Sequence, residues 1–354
     1  MRKDLGVMKI RLIEYKCIVN DDGQPFGHAE KALDDALIIC NRLGLDTEVA
    51  ASASFSRVSL ELPNSLKVAD YTYKSISKVM QNLRAATKVA KGERVLFWFV
   101  NVDWYVFLFL SLHKIPQRKI ATIYKDRFDQ IDGFKGKKGI IGNHLYNLLE
   151  KGIKQIDLYL ETFYARERRD NAVYLPDYIY TPFYNEHQVQ NKTERVICPG
   201  TINMQKDVEG LVEVFKKIDY PLLIIGQFAD KALYKELCDR KSNNITIENR
   251  RLEYDEYYRL IAESAYCITP YKMERYTSAT SGVIREAVYL GSTVIAPKTL
   301  LDNMGMNGIG YETLDDLIDI FKPGKINIKP ENDLTMYEEE NVVNNIRSAI
   351  FALL

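Results

Sequence analysis

Residues 196–226 read VICPGTINMQKDVEGLVEVFKKIDYPLLIIG, and the order of textures inside them decides the fold. A short apolar run, 195–198, stops at a glycine turn, Gly200; a helical pattern covers 208–218; a second apolar run, 222–225, stops at Gly226. Strand, helix and strand in that order form a βαβ unit, which feeds a parallel sheet. The same alternation continues outward. Strands are predicted at 245–248, 266–269 and 293–296, with helices at 231–240, 255–263 and 282–290. Toward the N-terminus the strands are 10–15, 47–51, 95–100, 120–124, 158–160 and 173–174. A helix at 29–43 places Ala32, Ala36, Ile39, Cys40 and Leu43 on one face and ends at Gly44.

Between the two series lies LPDYIYTPFYNEHQVQNKT, residues 175–193, with two prolines, several tyrosines and little periodicity, which reads as a linker. The expected organisation is a Rossmann-like N-terminal domain at 1–185, a Rossmann-like C-terminal domain at 194–333, and a final helix at 334–354 with Val342, Ile346, Ile350 and Leu353 on its apolar face. A chain of 354 residues exceeds what one core usually organises, so two domains are also the size expectation. Ligands of doubly wound sheets bind outside the carboxyl ends of the strands. A cleft between two such sheets is therefore the expected place for chemistry.

Composition narrows the class. The chain is 46% hydrophobic and 27% charged, in the range of ordinary globular proteins. Forty-eight basic residues balance forty-eight acidic ones, which leaves no global field for nucleic acid. Locally, residues 114–154 hold ten Lys or Arg against four Asp or Glu. That stretch reads as a solvated surface or as an attraction to an anionic membrane face or a pyrophosphate-bearing acceptor. Five cysteines, Cys17, Cys40, Cys198, Cys238 and Cys267, have neither a CxxC nor a histidine-paired spacing. They read as reduced core thiols of a cytoplasmic protein, with no disulfide framework and no zinc site. The N-terminus lacks the pattern of a signal peptide. The most apolar window, 95–112, carries Asn101 and Asp103 near its middle. A carboxylate there costs roughly 2.5–3.5 kcal/mol on membrane insertion, so a buried strand, a turn and a buried helix from Asp103 are expected instead.

The segment ITPYKMERYTSATSGVIREAVYLGSTVIAP, residues 268–297, carries the chemistry. A strand ends at Pro270, small polar residues follow, and Thr280, Ser281, Gly282 and Val283 open a helix. Free N–H groups at that start, with the helix dipole, suit a diphosphate. Equally, Ser281 is an ordinary N-cap when nothing is bound. One turn on, Glu286 is a carboxylate suited to two ribose hydroxyls, or simply a solvated helix residue.

The run SGVIREAVYLGSTVIAP resembles the C-terminal signature of the family 4 glycosyltransferases: Glu286, Ala287, Gly291, Val294 and Ile295 match in order. Residues 196–215, with Gly200 and Lys206, are similar to that family's glycine loop and diphosphate-gripping lysine. Residues 221–228 with Gly226, and the strand, loop, helix and Pro-Tyr strand end that follow, are also similar, so the resemblance spans about 196–316. It implies an α/β chain of the GT-B fold, with parallel sheets facing across a cleft and the C-terminal helix packing back on the N-terminal domain. It further implies a retaining hexosyltransferase that takes a UDP- or GDP-linked sugar as substrate and has no separate cofactor. Lys206 would grip the diphosphate and Glu286 the ribose. In the N-terminal half, Gly27 and His28 sit where the family has paired glycines, on the acceptor side. Asp126 matches the aspartate of a His-Asp pair, with Lys125 in the histidine's place. Ser278 stands where the family often has a second Glu, and Thr201, Ile202 and Asn203 where it usually has an Arg.

The chain has no Asp-x-Asp and no His/Asp cluster of ligand spacing, so Lys206 and the helix start at Gly282 are expected to neutralise the diphosphate without a metal. The implied acceptor is a saccharide or lipid-linked saccharide in polysaccharide or exopolysaccharide assembly, reached from the cytoplasmic face with peripheral contact through 114–154. Two other readings share the fold: a non-catalytic nucleotide-sugar-binding subunit and a sugar-nucleotide epimerase. A dinucleotide oxidoreductase is disfavoured, because no GxGxxG follows the first strand.

Overall fold

A computed structural model describes residues 8–16, 19, 29–55, 66–70, 75–124, 139–162, 170–275, 280–322, 326 and 330–354. Gly27, His28, Lys125, Asp126 and Ser278 lie outside the described residues, as does much of the cationic run. The chain divides into two compact units, Met1–Ile179 with Glu339–Leu354, and Tyr180–Glu338.

The first unit holds a seven-stranded sheet: β1 (Lys9–Ile13), β2 (Thr47–Ser52), β3 (Leu66–Val68), β4 (Val95–Phe99), β5 (Lys119–Ile123), β6 (Leu158–Glu161) and β7 (Ala172–Tyr174). Its order is β3-β2-β1-β4-β5-β6-β7, with every pairing parallel. Parallel strands are covered on both faces, so they read as unbroken apolar runs. VLFWF of β4 is buried at all five positions. One face carries α1 (Ala29–Arg42) and the other α2 (Ile76–Ala86), α3 (Trp104–Leu112) and α4 (Gly139–Ile153), which divides the core into two clusters. The apolar window 95–112 is thus a strand, a turn and a helix capped by Asp103, whose carboxylate accepts from Tyr105 N. Among the described residues, no helix is long and apolar enough to cross a membrane.

The C-terminal helix lies outside the second unit. Its Val342, Val343, Ile346 and Ile350 join the α1-side core of the first unit, Arg42 pairs with Glu339, and Asn345 Nδ2 donates to Tyr174 O at 3.1 Å. The helix itself spans Glu339–Phe351, later than the expected start, because a 3₁₀ turn at Thr335–Tyr337 intervenes.

The second unit holds β8 (Thr193–Pro199), β9 (Leu222–Gly226), β10 (Ile245–Asn249), β11 (Ser264–Ile268), β12 (Thr293–Pro297) and β13 (Ile309–Tyr311). The order β10-β9-β8-β11-β12-β13 is that of a doubly wound Rossmann sheet, whose direction of winding reverses between β8 and β11. The helices after Pro182–Glu186 (α5) are α6 (Val208–Phe215), α7 (Lys231–Arg240), α8 (Tyr254–Ala262), α9 (Gly282–Tyr289), α10 (Lys298–Met304) and α11 (Asp316–Ile320). The linker segment contains α5, which starts with Pro182 in the first turn. Its Phe183 and Tyr184 pack edge-on against Tyr258, at 5.1 and 5.9 Å between centroids.

Candidate functional site

The winding reversal of the second sheet is where the predicted residues gather. β8 ends at Pro199, and Gly200 turns the chain with φ 85°. Beside it β9 ends at Gly226, with φ 149°. A Cβ on Gly226 would stand 2.0 Å from Gly200 O, so the two turns lie backbone to backbone and the Gly226 side has no room for a side chain. A Cβ on Gly200 would meet Lys206 Nζ and Val283 Cγ2, each at 3.9 Å. That places the lysine and the start of α9 on either side of the same bare turn.

Lys206 is only 5% exposed. Its ammonium donates to Pro199 O at 2.7 Å and lies 5.9 Å from the centre of the Tyr271 ring. The backbone around it is tied to the end of β11: Lys206 and Tyr271 form an antiparallel bridge, Asp207 N donates to Pro270 O at 2.6 Å, and Lys272 N to Gln205 O at 2.8 Å. Asp207 then caps α6 by accepting from Gly210 N. An ammonium has three protons, and the Pro199 bond occupies one.

Ser281 caps α9, its Oγ accepting from Ile284 N at a long 3.4 Å and sharing a 3.2 Å hydrogen bond with Tyr271 Oη. Tyr271 therefore touches both halves of the prospective anion site, the lysine and the helix tip. The other end of α9 is closed by Lys192 Nζ, which donates to Leu290 O at 3.1 Å, and by Gln188 Nε2 to Tyr289 O at 2.8 Å. A cation at that end complements the dipole that leaves the first turn positive. All eight residues of α9 are buried.

Glu286 is therefore not a solvated helix residue: it is 4% exposed. Tyr257 of α8 donates to its Oε2 at 2.7 Å. Burial, then the adjacent Glu286 charge, pushes the Tyr257 hydroxyl well above its ordinary value, so it remains a donor at neutral pH. Burial raises Cys267, beneath this site, and also raises Cys198 at the end of β8, against which the nearby Lys206 charge pulls down. Neither thiol is a ready nucleophile at neutral pH.

Thr280, Ser281, Gly282, Val283, Glu286, Gly200, Gly226 and Lys206 thus come together at one sheet edge. Gly27, His28 and Asp126 lie outside the described residues. Sequence reasoning did not single out Tyr257 or Tyr271 as site residues. The only signal was a Tyr in the Pro-Tyr strand end and one more in the run YDEYY, whose partners no pattern reveals.

The first unit has its own winding reversal, between β1 and β4. Tyr15 donates to Asp103 Oδ1 at 2.7 Å, Lys16 Nζ to Asn101 Oδ1 at 2.8 Å, and Lys16 N to Glu14 Oε1 at 2.7 Å. Burial raises Glu14 to about 7, against the lowering effect of Lys16. Burial likewise raises Asp35 of α1 to about 7, against its Lys31 partner. Among the described residues, no group of three or more His, Cys, Asp or Glu is arranged to hold a metal ion.

No protein-family model matches the chain, and neither does any curated protein sequence. Solved structures do match over essentially the whole length. AviGT4, a glycosyltransferase involved in avilamycin A biosynthesis, is similar with a TM-score of 0.57 and 11% identity, covering 98% of each chain. The catalytic domain of starch synthase IV from Arabidopsis thaliana, bound to ADP and acarbose, gives 0.57 and 13%, covering 98% of this chain and 97% of its own. The UDP-GlcNAc 2-epimerase from Neisseria meningitidis, bound to UDP-GlcNAc, gives 0.54 and 13%, covering 98% and 99%. At such identities the likeness is one of fold: α/β, with two Rossmann-like units, the GT-B fold.

Proposed function

We propose that this chain is a glycosyltransferase that moves a sugar from a UDP- or GDP-linked donor to the hydroxyl of a saccharide or lipid-linked saccharide. The observation that carries this reading is the meeting of the Lys206 ammonium and the N-terminus of α9 at the bare Gly200 turn, with the buried Glu286 one turn further along the same helix. When the glycosidic bond to the donor breaks, negative charge builds on the departing diphosphate. An ammonium with protons to spare and the first amides of a helix stabilise that charge without having to reorganise. Glu286, one turn deeper, suits the two hydroxyls of a ribose.

The positive charge at the site comes from the protein, which supports transfer without a divalent ion. The resemblance of 268–297 to family 4 sequences supports retention at the anomeric carbon. Asp126, with Gly27 and His28, would serve the acceptor side. The cationic stretch 114–154 supports peripheral contact with an anionic inner membrane face, where lipid-linked acceptors of polysaccharide assembly are held.

The test is turnover against a panel of UDP- and GDP-sugars with purified wild type, Lys206→Ala and Glu286→Ala. Each substitution is expected to lower kcat/KM for the productive donor by about 10²-fold or more, EDTA to leave the wild type unchanged, and the product anomer to match the donor. Variants as active as the wild type would remove the mechanism. A second reading rests on the fold likeness to a UDP-GlcNAc 2-epimerase: an epimerase converts its sugar nucleotide with no acceptor present, a transferase does not.

A further inference from the structure

We infer that Tyr257 is a positioning residue of the donor site, whose hydroxyl fixes the Glu286 carboxylate in the orientation that receives the nucleoside. The inference rests on the reading of the second unit as the donor site and goes beyond it by naming what aims Glu286.

A buried glutamate on a helix has three side-chain torsions, and each would have to settle as a ligand bound. Tyr257 removes much of that freedom beforehand. Its Oη donates to Glu286 Oε2 at 2.7 Å, the distance of a charge-assisted bond to a carboxylate. A hydroxyl pushed well above its ordinary value by burial and by the Glu286 charge keeps its proton near neutral pH and remains a donor.

Tyr257 is itself aimed from two sides. Its neighbour Tyr258 is 6% exposed and wedged against Phe183 and Tyr184 of α5, with Tyr254 stacked on it at 5.6 Å and 9°. Successive helix residues point about 100° apart, so a locked Tyr258 sets the rotation of α8 and turns Tyr257 toward α9. The loop into α8 is clamped by Arg250, which reaches both oxygens of Glu256, at 2.9 and 2.7 Å, and Glu248 Oε2 at 2.7 Å. These bonds tie the end of β10 to the first turn of α8. A side chain so placed sets geometry without being a catalytic residue.

The experiment is calorimetric titration of the full chain with UDP, GDP and inorganic pyrophosphate, for wild type, Tyr257→Phe, Glu286→Gln and the double variant. Phenylalanine keeps the ring and its packing and removes only the donor. The expected result is about fivefold to tenfold weaker binding of the preferred nucleoside diphosphate to Tyr257→Phe. Pyrophosphate, which lacks the nucleoside that Glu286 would receive, should bind within about twofold of wild type. In the Glu286→Gln background, Tyr257→Phe should add little, since the bond it removes then no longer ends on a carboxylate.

Nucleotide binding by Tyr257→Phe equal to that of wild type, with Glu286→Gln weakened, overturns the positioning role and leaves the donor reading standing. An equal loss for pyrophosphate and nucleotide also overturns it, because the role would then be general to the fold. Wild-type nucleotide affinity in Glu286→Gln, or no nucleotide binding by any form, removes the donor reading and this inference with it.

Discussion

Replacing Gly226 by alanine is the sharpest stability test of the second unit, because its cost is set by backbone atoms. The added Cβ would lie 2.0 Å from Gly200 O, 2.6 Å from Gly200 C and 3.2 Å from Gly200 Cα. A carbon approaches a carbonyl oxygen to about 3.3 Å at closest, so the ends of β8 and β9 must part by more than an ångström. Overpacking of that kind costs about 1–3 kcal/mol. The positive φ of 149° adds about 1–2 kcal/mol for a residue with a side chain. Together the expected loss is about 2–5 kcal/mol. Gly291→Ala is the matched control in the same unit: its φ is 72° and nothing approaches its Cβ closer than 3.8 Å, so only the backbone strain remains. Urea unfolding followed by far-ultraviolet circular dichroism should show Gly226→Ala losing midpoint well beyond Gly291→Ala. The surviving folded protein should bind nucleoside diphosphate more weakly, since the displaced turn is the one that Lys206 folds across. Equal midpoints for the two variants would refute the backbone-to-backbone account of the site.

Two further outcomes concern the first unit. Glu14 is raised by burial from 4.5 to about 7, so between those values the folded chain keeps a proton that the unfolded chain has lost. Its contribution to stability therefore falls as pH rises through that window and levels above it, by about 3 kcal/mol for a fully desolvated group. Glu14→Gln removes that slope, and its stability relative to wild type should improve between pH 4.5 and pH 8 in urea unfolding; parallel curves would show that Glu14 does not hold the proton. Gly152→Ala should cost about 1–3 kcal/mol, because its Cβ would stand 1.8 Å from Phe107 O. Fluorescence of Trp98 and Trp104, both in the first unit, reads that loss, and an unchanged midpoint would refute the close approach of α3 and α4.

The architecture was legible wherever burial writes itself as a run. Strands flanked by helices on both faces tend to be apolar throughout, which is why β4, β9 and β12 stand out in the sequence. The weaker elements escaped. β3 is three residues with two of them exposed, so it shows neither a run nor an alternation. β13 is equally short. α2 and α4 have no assignment in the sequence reading although both are amphipathic.

The site was legible to the extent that backbone chemistry marks it. A glycine after a strand and a serine before a helix announce turns and caps whatever the surroundings, so Gly200, Gly226 and Ser281 fell where they were expected. What a side chain touches is set by register between elements distant in the chain, and no local pattern records it. Tyr257 and Glu286 are twenty-nine positions apart and meet at 2.7 Å. Tyr271 reaches Ser281 across residues that spell only a polar loop. Glu286 shows the consequence most clearly. As a helix residue between Arg285 and Ala287 it is indistinguishable from a solvated glutamate, yet at 4% exposure its carboxylate must be compensated within the fold. Tyr257, a phenol that burial holds in its protonated form near neutrality, supplies one hydrogen bond toward that compensation, and it comes from a helix that nothing in the sequence around Glu286 points to.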